Sequence, residues 1–256
     1  MPMQTRSMTR NNEKKKAVAK MCANIMMDLK KRKTLTINHH KRGEGEYEGG
    51  LIDNKPHGYG KCIWNGEETM GGTYVGEWEA GEMCGKGKFT YKNGNVYEGR
   101  WEKGKCTEGK ITLWNGEIYE GEWGNTFPEG KGKMIFKSGN IYEGQFKNGL
   151  MYGNGKMTYA NGDVYEGQWI NNCYNGKGKM LYRDGDIYEG EWQWKKKHGT
   201  GKMIYNTGEI YQGSWSQDVI SGYGKMKFSP GYSYQGWWSN GKIDNVYTIK
   251  TLKKYM

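Results

Sequence analysis

The chain has 256 residues, 42 of them glycine, with 35% hydrophobic residues and a net charge of +11, a balance that cannot bury one large compact core. Its aromatics are 20 Tyr and 11 Trp against 5 Phe, so large amphipathic rings have to be packed economically and repetitively. The cysteines Cys22, Cys62, Cys84, Cys106 and Cys173 are widely spaced with no CxxC pair, which argues against a disulfide framework or a zinc site and for a reducing, intracellular compartment. No apolar leader follows Met1, and no stretch approaches the roughly 18 apolar residues of a membrane span.

The first segment is a basic arm, residues 1–46, with 12 Lys/Arg against 4 Asp/Glu, or +8; that leaves 27 against 24, or +3, for the remainder. Val18, Met21, Cys22, Ile25, Met26 and Leu29 recur at helical spacing, which predicts an amphipathic helix over about 12–33. Lys14, Lys15 and Lys16 line its start, and Lys30, Lys31, Arg32 and Lys33 stand at its C-terminal end, where cations favour the helix dipole. The stripe has several readings. It covers part of a sheet, docks a partner, or lies on an anionic membrane, and the Lys30–Lys33 run also reads as a nuclear-import or nucleic-acid signal.

From residue 47 the chain repeats. Tyr47, Tyr74, Tyr97, Tyr119, Tyr142, Tyr165, Tyr188, Tyr211 and Tyr234 set a 23-residue cadence. A typical unit reads Tyr165-Glu166-Gly167-Gln168-Trp169, then Gly176-Lys177-Gly178-Lys179-Met180-Leu181-Tyr182, then Asp184-Gly185. Numbering each unit from its tyrosine as offset 0, Tyr, Gly and Trp at 0, +2 and +4 share one face of a strand. The Gly, Met and aromatic positions at +13, +15 and +17 share one face of the next. An antiparallel register whose offsets sum to 17 sets Trp opposite glycine and Lys at +14 opposite +3, which holds Glu77, Glu122 and Glu191. Asn93-Gly94, Asn115-Gly116, Asn161-Gly162 and Asp184-Gly185 are expected to be tight turns joining each unit to the next.

These YEGxW, GxGK and NG elements, in register over residues 47–241, resemble the MORN (membrane occupation and recognition nexus) repeat. The resemblance implies an all-β, elongated, single-layer antiparallel β-hairpin solenoid with the N-terminal amphipathic helix appended. Two departures predict local bends, an insertion around Glu67 to Thr73 and a lost loop glycine at Thr107-Glu108-Gly109. Residues 242–256 are expected to cap the last edge.

Chemistry is harder to find. His39, His40, His57 and His198 lack metal-ligand spacing, and no GxSxG elbow, Cys/His pair or phosphate-binding loop occurs. Glu48, Glu98, Glu120, Glu143, Glu166 and Glu189 recur at +1 as a solvated column. The reading is therefore a non-enzymatic scaffold without cofactor or metal, in the cytoplasm or on the cytoskeleton, and MORN resemblance implies the same. Its partner-binding groove is expected along Tyr97, Trp101, Tyr119, Trp123, Tyr142, Phe146, Tyr165, Trp169, Tyr188 and Trp192, since one layer cannot cover both its faces. Protein partners are expected there, including a second copy. The alternative is peripheral attachment to an anionic membrane through the basic helix, and nucleic acid is disfavoured.

Overall fold

The computed structural model describes residues 33–39, 42–66, 71–124, 127–229, 231–244 and 253–254. The expected N-terminal helix, its basic residues Lys14 to Arg32 and its apolar stripe lie outside them. The chain divides into two compact units between Thr107 and Glu108. Each is an antiparallel β-meander, as the alternating pattern requires.

In the first unit β1 (Lys33–His39), β2 (Gly43–Ile52), β3 (Lys55–Trp64), β4 (Gly72–Glu79), β5 (Glu82–Tyr91) and β6 (Val96–Glu102) follow one another, each paired antiparallel with the next. The division falls within β7 (Lys105–Thr112). The second unit continues with β8 (Ile118–Trp123), β9 (Pro128–Ile135), β10 (Ile141–Lys147), β11 (Leu150–Thr158), β12 (Val164–Ile170) and β13 (Cys173–Leu181). It ends with β14 (Ile187–Gln193), β15 (Lys196–Ile204), β16 (Ile210–Ser216), β17 (Val219–Lys227), β18 (Tyr232–Ser239), β19 (Lys242–Ile243) and β20 (Lys253–Lys254). The last two both pair with β18, at Trp238–Ser239 and at Tyr232–Ser233.

The sheet begins before Tyr47. Residues 33–39, expected to belong to the arm, form β1, whose Leu35 lies opposite Tyr47 as Met157 and Met180 lie opposite Tyr165 and Tyr188.

The register differs from expectation by two residues. Tyr165 faces Met180, Glu166 faces Lys179 and Gly167 faces Gly178, after which a bulge brings Trp169 opposite Tyr174. On its other side Tyr165 faces Met157, Gly167 faces Gly155 and Trp169 faces Gly153. Before the bulge the paired offsets therefore sum to 15 and not to 17. A two-residue shift keeps every side chain on its face, so the division into apolar and polar faces stands while the partners change. The reason is steric. Glycine beside glycine makes a bare patch, and the tyrosine ring lies along its own strand over that patch. A methyl group added at Gly178 would collide with the ring carbons and Oη of Tyr165. Lys at +14 accordingly meets Glu at +1, as in Lys88–Glu98 at 2.6 Å and Lys133–Glu143 at 2.9 Å; both pairs are half exposed and contribute little.

The bulge has its own hydrogen bonds. Tyr142, Tyr165, Tyr188 and Tyr211 donate Oη–H to the carbonyls of Gln145, Gln168, Glu191 and Ser214 at 2.9–3.1 Å. From the polar face Gln168 Oε1 accepts the N–H of Lys177 at 2.7 Å, and Glu191 Oε1 that of Thr200 at 3.1 Å. A kink that would strand backbone groups is thus satisfied from both sides.

The two kinds of turn also exchange their expected chemistry. At Asn161-Gly162 only the glycine has positive φ (98°), and Gly162 N–H donates to Tyr159 O while Tyr159 N–H donates to Asp163 O, a type I turn with a glycine bulge. The true two-residue turns with two left-handed residues lie at the opposite edge, within each unit. They include Asp53-Asn54 (49°, 57°), Asn148-Gly149 (51°, 78°), Asn171-Asn172 (49°, 65°), Trp194-Lys195 (49°, 68°) and Gln217-Asp218 (50°, 71°).

Candidate partner-binding groove

Of the ten residues expected to line an open groove, nine are buried, among them Tyr97, Trp101, Tyr119, Tyr142, Phe146, Tyr165, Trp169, Tyr188 and Trp192, and Trp123 is half-buried. They form the core of their units. Tyr165 meets Trp169 edge-to-face at 5.3 Å and Trp192 at 5.6 Å, so it sits between the ring of its own repeat and that of the next, as Tyr119 does between Trp123 and Phe146. Trp169 and Trp192 donate Nε1–H to the carbonyls of Gly155 and Gly178 at 3.0 and 3.1 Å. A partner cannot reach rings used in this way.

What covers them is the new feature. In the second unit the +17 row (Tyr159, Tyr182, Tyr205) and the +9 row (Met151, Tyr174, Lys197, Ile220) come from opposite ends of the strands and close over the tyrosine–tryptophan layer. Tyr174 stacks on Tyr165 at 4.4 Å and meets Trp192 at 5.0 Å, and its hydroxyl is hydrogen-bonded to that of Tyr159. The lips of this groove are half-buried phenols. Desolvation raises the pKa of Tyr159, Tyr174, Tyr182 and Tyr205, so all four are neutral donors at physiological pH.

Lys197 breaks the apolar +9 row. Its ammonium lies 4.8 Å from the Trp215 ring centre and 5.6 Å from those of Tyr182 and Tyr188. Burial lowers its pKa, while Asp218 and Asp186 act in the opposite sense. Asp218 is placed by accepting the Lys197 N–H at 2.8 Å, and Asp186 by accepting that of Asn206 at 2.8 Å. The sequence held the signal for Lys197, a lone cation in a column that otherwise reads Pro56, Met83, Cys106, Pro128, Met151, Tyr174 and Ile220, but only the bulged register, which sets +9 opposite +4, makes these residues a column over the rings.

The first unit solves the same problem differently. Arg42, between β1 and β2, places its guanidinium 4.3 Å from the Phe89 ring centre and 5.5 Å from that of Trp64, and it is hydrogen-bonded to Tyr91. Burial lowers its pKa, and burial pushes the nearby Cys62 thiol up to about 12. Among the described residues no group of three or more His, Cys, Asp or Glu is placed to hold a metal ion.

The family model described as MORN repeat matches residues 47–66, 74–96, 97–107, 119–141, 142–164, 165–187, 188–210 and 211–231, well over half of the chain. The chain belongs to the MORN repeat family. The third match stops at residue 107, where the two units divide and where Glu108 stands in the place of a loop glycine. Alsin of Rattus norvegicus is 30% identical over 22% of this MORN chain and 5% of its own length; Alsin of Homo sapiens is 32% identical over the same shares. The chain therefore spans about a twentieth of these curated relatives. Among solved structures, the TCP10 domain of Danio rerio CPAP covers 86% of this chain and 100% of its own at 9% identity and TM-score 0.46. The SAS-4 TCP domain of Drosophila melanogaster, in complex with a proline-rich motif of Ana2, covers 59% and 83% at 13% identity and TM-score 0.39. Both likenesses are too slight to argue from.

Proposed function

We propose that this MORN protein is a non-enzymatic intracellular scaffold that holds a protein segment along the lips of the second unit's groove. The observation that carries the reading is the line of half-buried side chains Tyr159, Tyr174, Tyr182, Lys197 and Tyr205. They offer ring faces together with hydrogen-bonding tips, one set per repeat at a spacing of about 10 Å. Phenols lose little conformational entropy on contact, and a regular series of them suits an extended or helical polypeptide better than a small molecule. The four described cysteines are free thiols, which suits a reducing compartment. The carboxylates at +1 recur in six repeats, and Glu98 and Glu143 pair with Lys88 and Lys133, which suits a solvated column better than a catalytic group.

A photo-crosslinking amino acid introduced at 205 on the lip, and at 166 on the polar face, tests the reading in the native cell. Mass spectrometry of the adducts is expected to find one recurrent protein at 205 and only scattered adducts at 166. Recurrent adducts at 166 alone would move the binding surface to the other face and end this proposal.

A further inference from the structure

The face of the second unit turned away from the tyrosine–tryptophan layer is polar until its last strands. Between neighbouring repeats the residue at +12 lies opposite the residue at +3 of the next. That pair reads Asn154–Gln168, then Lys177–Glu191, then Thr200–Ser214, and finally Tyr223–Trp237. The row beside it changes over the same stretch, since Glu166 and Glu189 flank Lys179 whereas Gln212 and Gln235 flank Lys225. No Asp or Glu occurs in β15, β16, β17 or β18, while Lys202, Lys225 and Lys227 are exposed there. This end of the polar face is therefore aromatic, rich in donors and positive.

The rings of Tyr223 and Trp237 lie 5.8 Å apart at 73° to one another and are 49% and 50% exposed. A cross-strand pair that served only to hold the sheet would gain most by burying its rings, yet half of each meets solvent. The backbone beneath is fixed: Tyr223 O accepts the Ser214 Oγ–H at 3.3 Å, and Trp237 O accepts the Asp244 N–H at 2.9 Å. Thr200 and Ser214 are short, so the surface beside the rings stays low.

We propose that this corner takes a polyproline II segment bearing acidic residues, laid along the row of Thr200, Ser214, Tyr223 and Trp237. Two rings nearly at right angles make a notch in which a thick pyrrolidine ring touches both walls, whereas a planar nucleobase stacks on one wall only. A polyproline II segment presents the same side every third residue, about 9 Å along its axis, close to the repeat spacing of about 10 Å at two strands each. A proline in the notch thus sets the residue three positions along over Thr200 and Ser214. The carbonyls of such a segment have no internal partners and meet the amides of Gln212 and Gln235. Its acids meet Lys202 and Lys225, which stand one repeat apart. Because the segment is already ordered, little conformational freedom is lost on docking. The site is on the opposite face from the groove lips and does not depend on that groove being occupied.

Titration calorimetry of the full chain with an oligoproline peptide carrying an aspartate tail tests this. Tyr223→Asn/Trp237→Gln rebuilds the Asn154–Gln168 pair of an earlier repeat, so it suits the sheet, and it is expected to weaken binding at least about tenfold. Lys202→Gln/Lys225→Gln is expected to weaken it about threefold and to flatten its salt dependence. Tyr182→Ala on the groove lip is expected to leave the affinity unchanged, and a glycine–serine peptide with the same tail is expected not to bind. Equal affinity of wild type and the ring variant would overturn the proposal, as would equal binding of the glycine–serine peptide. So would absence of wild-type binding at low salt, or binding of a single-stranded oligodeoxythymidylate without binding of the oligoproline peptide.

Discussion

Both units have a cation lying over the aromatic layer, but the cations arrive by different routes. In the first, Arg42 reaches over Phe89 and Trp64 from the link between β1 and β2, outside the repeat. In the second, Lys197 occupies a repeat position and lies over Trp215, Tyr182 and Tyr188. The layer beneath is the same in each: Tyr47 and Tyr165 both lie over a glycine pair and both donate to the bulge carbonyl three residues on. What a meander of one sheet cannot supply from its own second layer, it takes from whatever side chain can bring a long apolar stem and leave its charge against a ring. The ring layer is fixed by geometry; its cover is free to vary, and function can be built there.

The strongest way to break this comparison is to disturb the shared layer. Gly60→Ala in the first unit and Gly178→Ala in the second would each drive a methyl group into the tyrosine ring above. Overpacking at a site closed on both sides by backbone is expected to cost at least about 3 kcal/mol in each case. Urea titration of the two variants measures it. If Gly60→Ala proved harmless while Gly178→Ala was not, the two layers would not be equivalent and the comparison would fail.

This layer is also what the sequence showed most clearly. A 23-residue cadence, the two alternating segments and their faces follow from the positions of Tyr, Gly, Trp and Met, because a pleated strand has only two faces and period 2 fixes them. The register did not follow. A two-residue slip leaves every face unchanged, and only the fit of a ring over paired glycines selects among slips. The open groove was misjudged for the same reason, since residues at +9 and +17 are far apart along the strands and only the fold brings Tyr174 to Tyr159. The turns at Trp194-Lys195 and Gln217-Asp218 were hidden because neither dipeptide carries the Asn-Gly signature of a left-handed pair. Leu35 gave no sign of its place opposite Tyr47 because it lies outside the 23-residue cadence that starts at Tyr47.

A smaller effect sharpens the role of the phenol as opposed to the ring. Tyr165→Phe keeps the ring over Gly167 and Gly178 but removes the donor to Gln168 O, 3.1 Å away, leaving a carbonyl at the bulge without that partner. The expected cost is about 1–2 kcal/mol, with Tyr47→Phe costing a similar amount through Gly50 O at 2.9 Å. Thermal unfolding followed by circular dichroism reads both. A neutral result in either unit would show that water takes over the carbonyl there, and that the hydroxyl is kept for another reason.

The finest distinction concerns the cover itself. Other repeats place Met83, Met151 or Ile220 where this repeat has Lys197, so Lys197→Met should pack without strain and relieve a half-buried charge. We expect it to stabilise by about 1 kcal/mol at neutral pH, since desolvation outweighs the pull of Asp218 and Asp186 on this lysine. The pH dependence has a definite sign. A lysine whose pKa falls on folding binds its proton less well in the folded than in the unfolded chain, so its cost is full below the folded value. That cost fades as pH rises toward 10.5, the ordinary lysine value. The advantage of Lys197→Met over wild type should therefore shrink between neutral pH and that limit. Tyrosines such as Tyr211, held up to about 12 by burial, destabilise both proteins alike once pH passes 10 and cancel in the difference. If the variant instead lost stability at neutral pH, the stacking of the ammonium on Trp215 would outweigh its desolvation. Lys197 would then be a fixed part of the core, and a partner would have only the phenols to read.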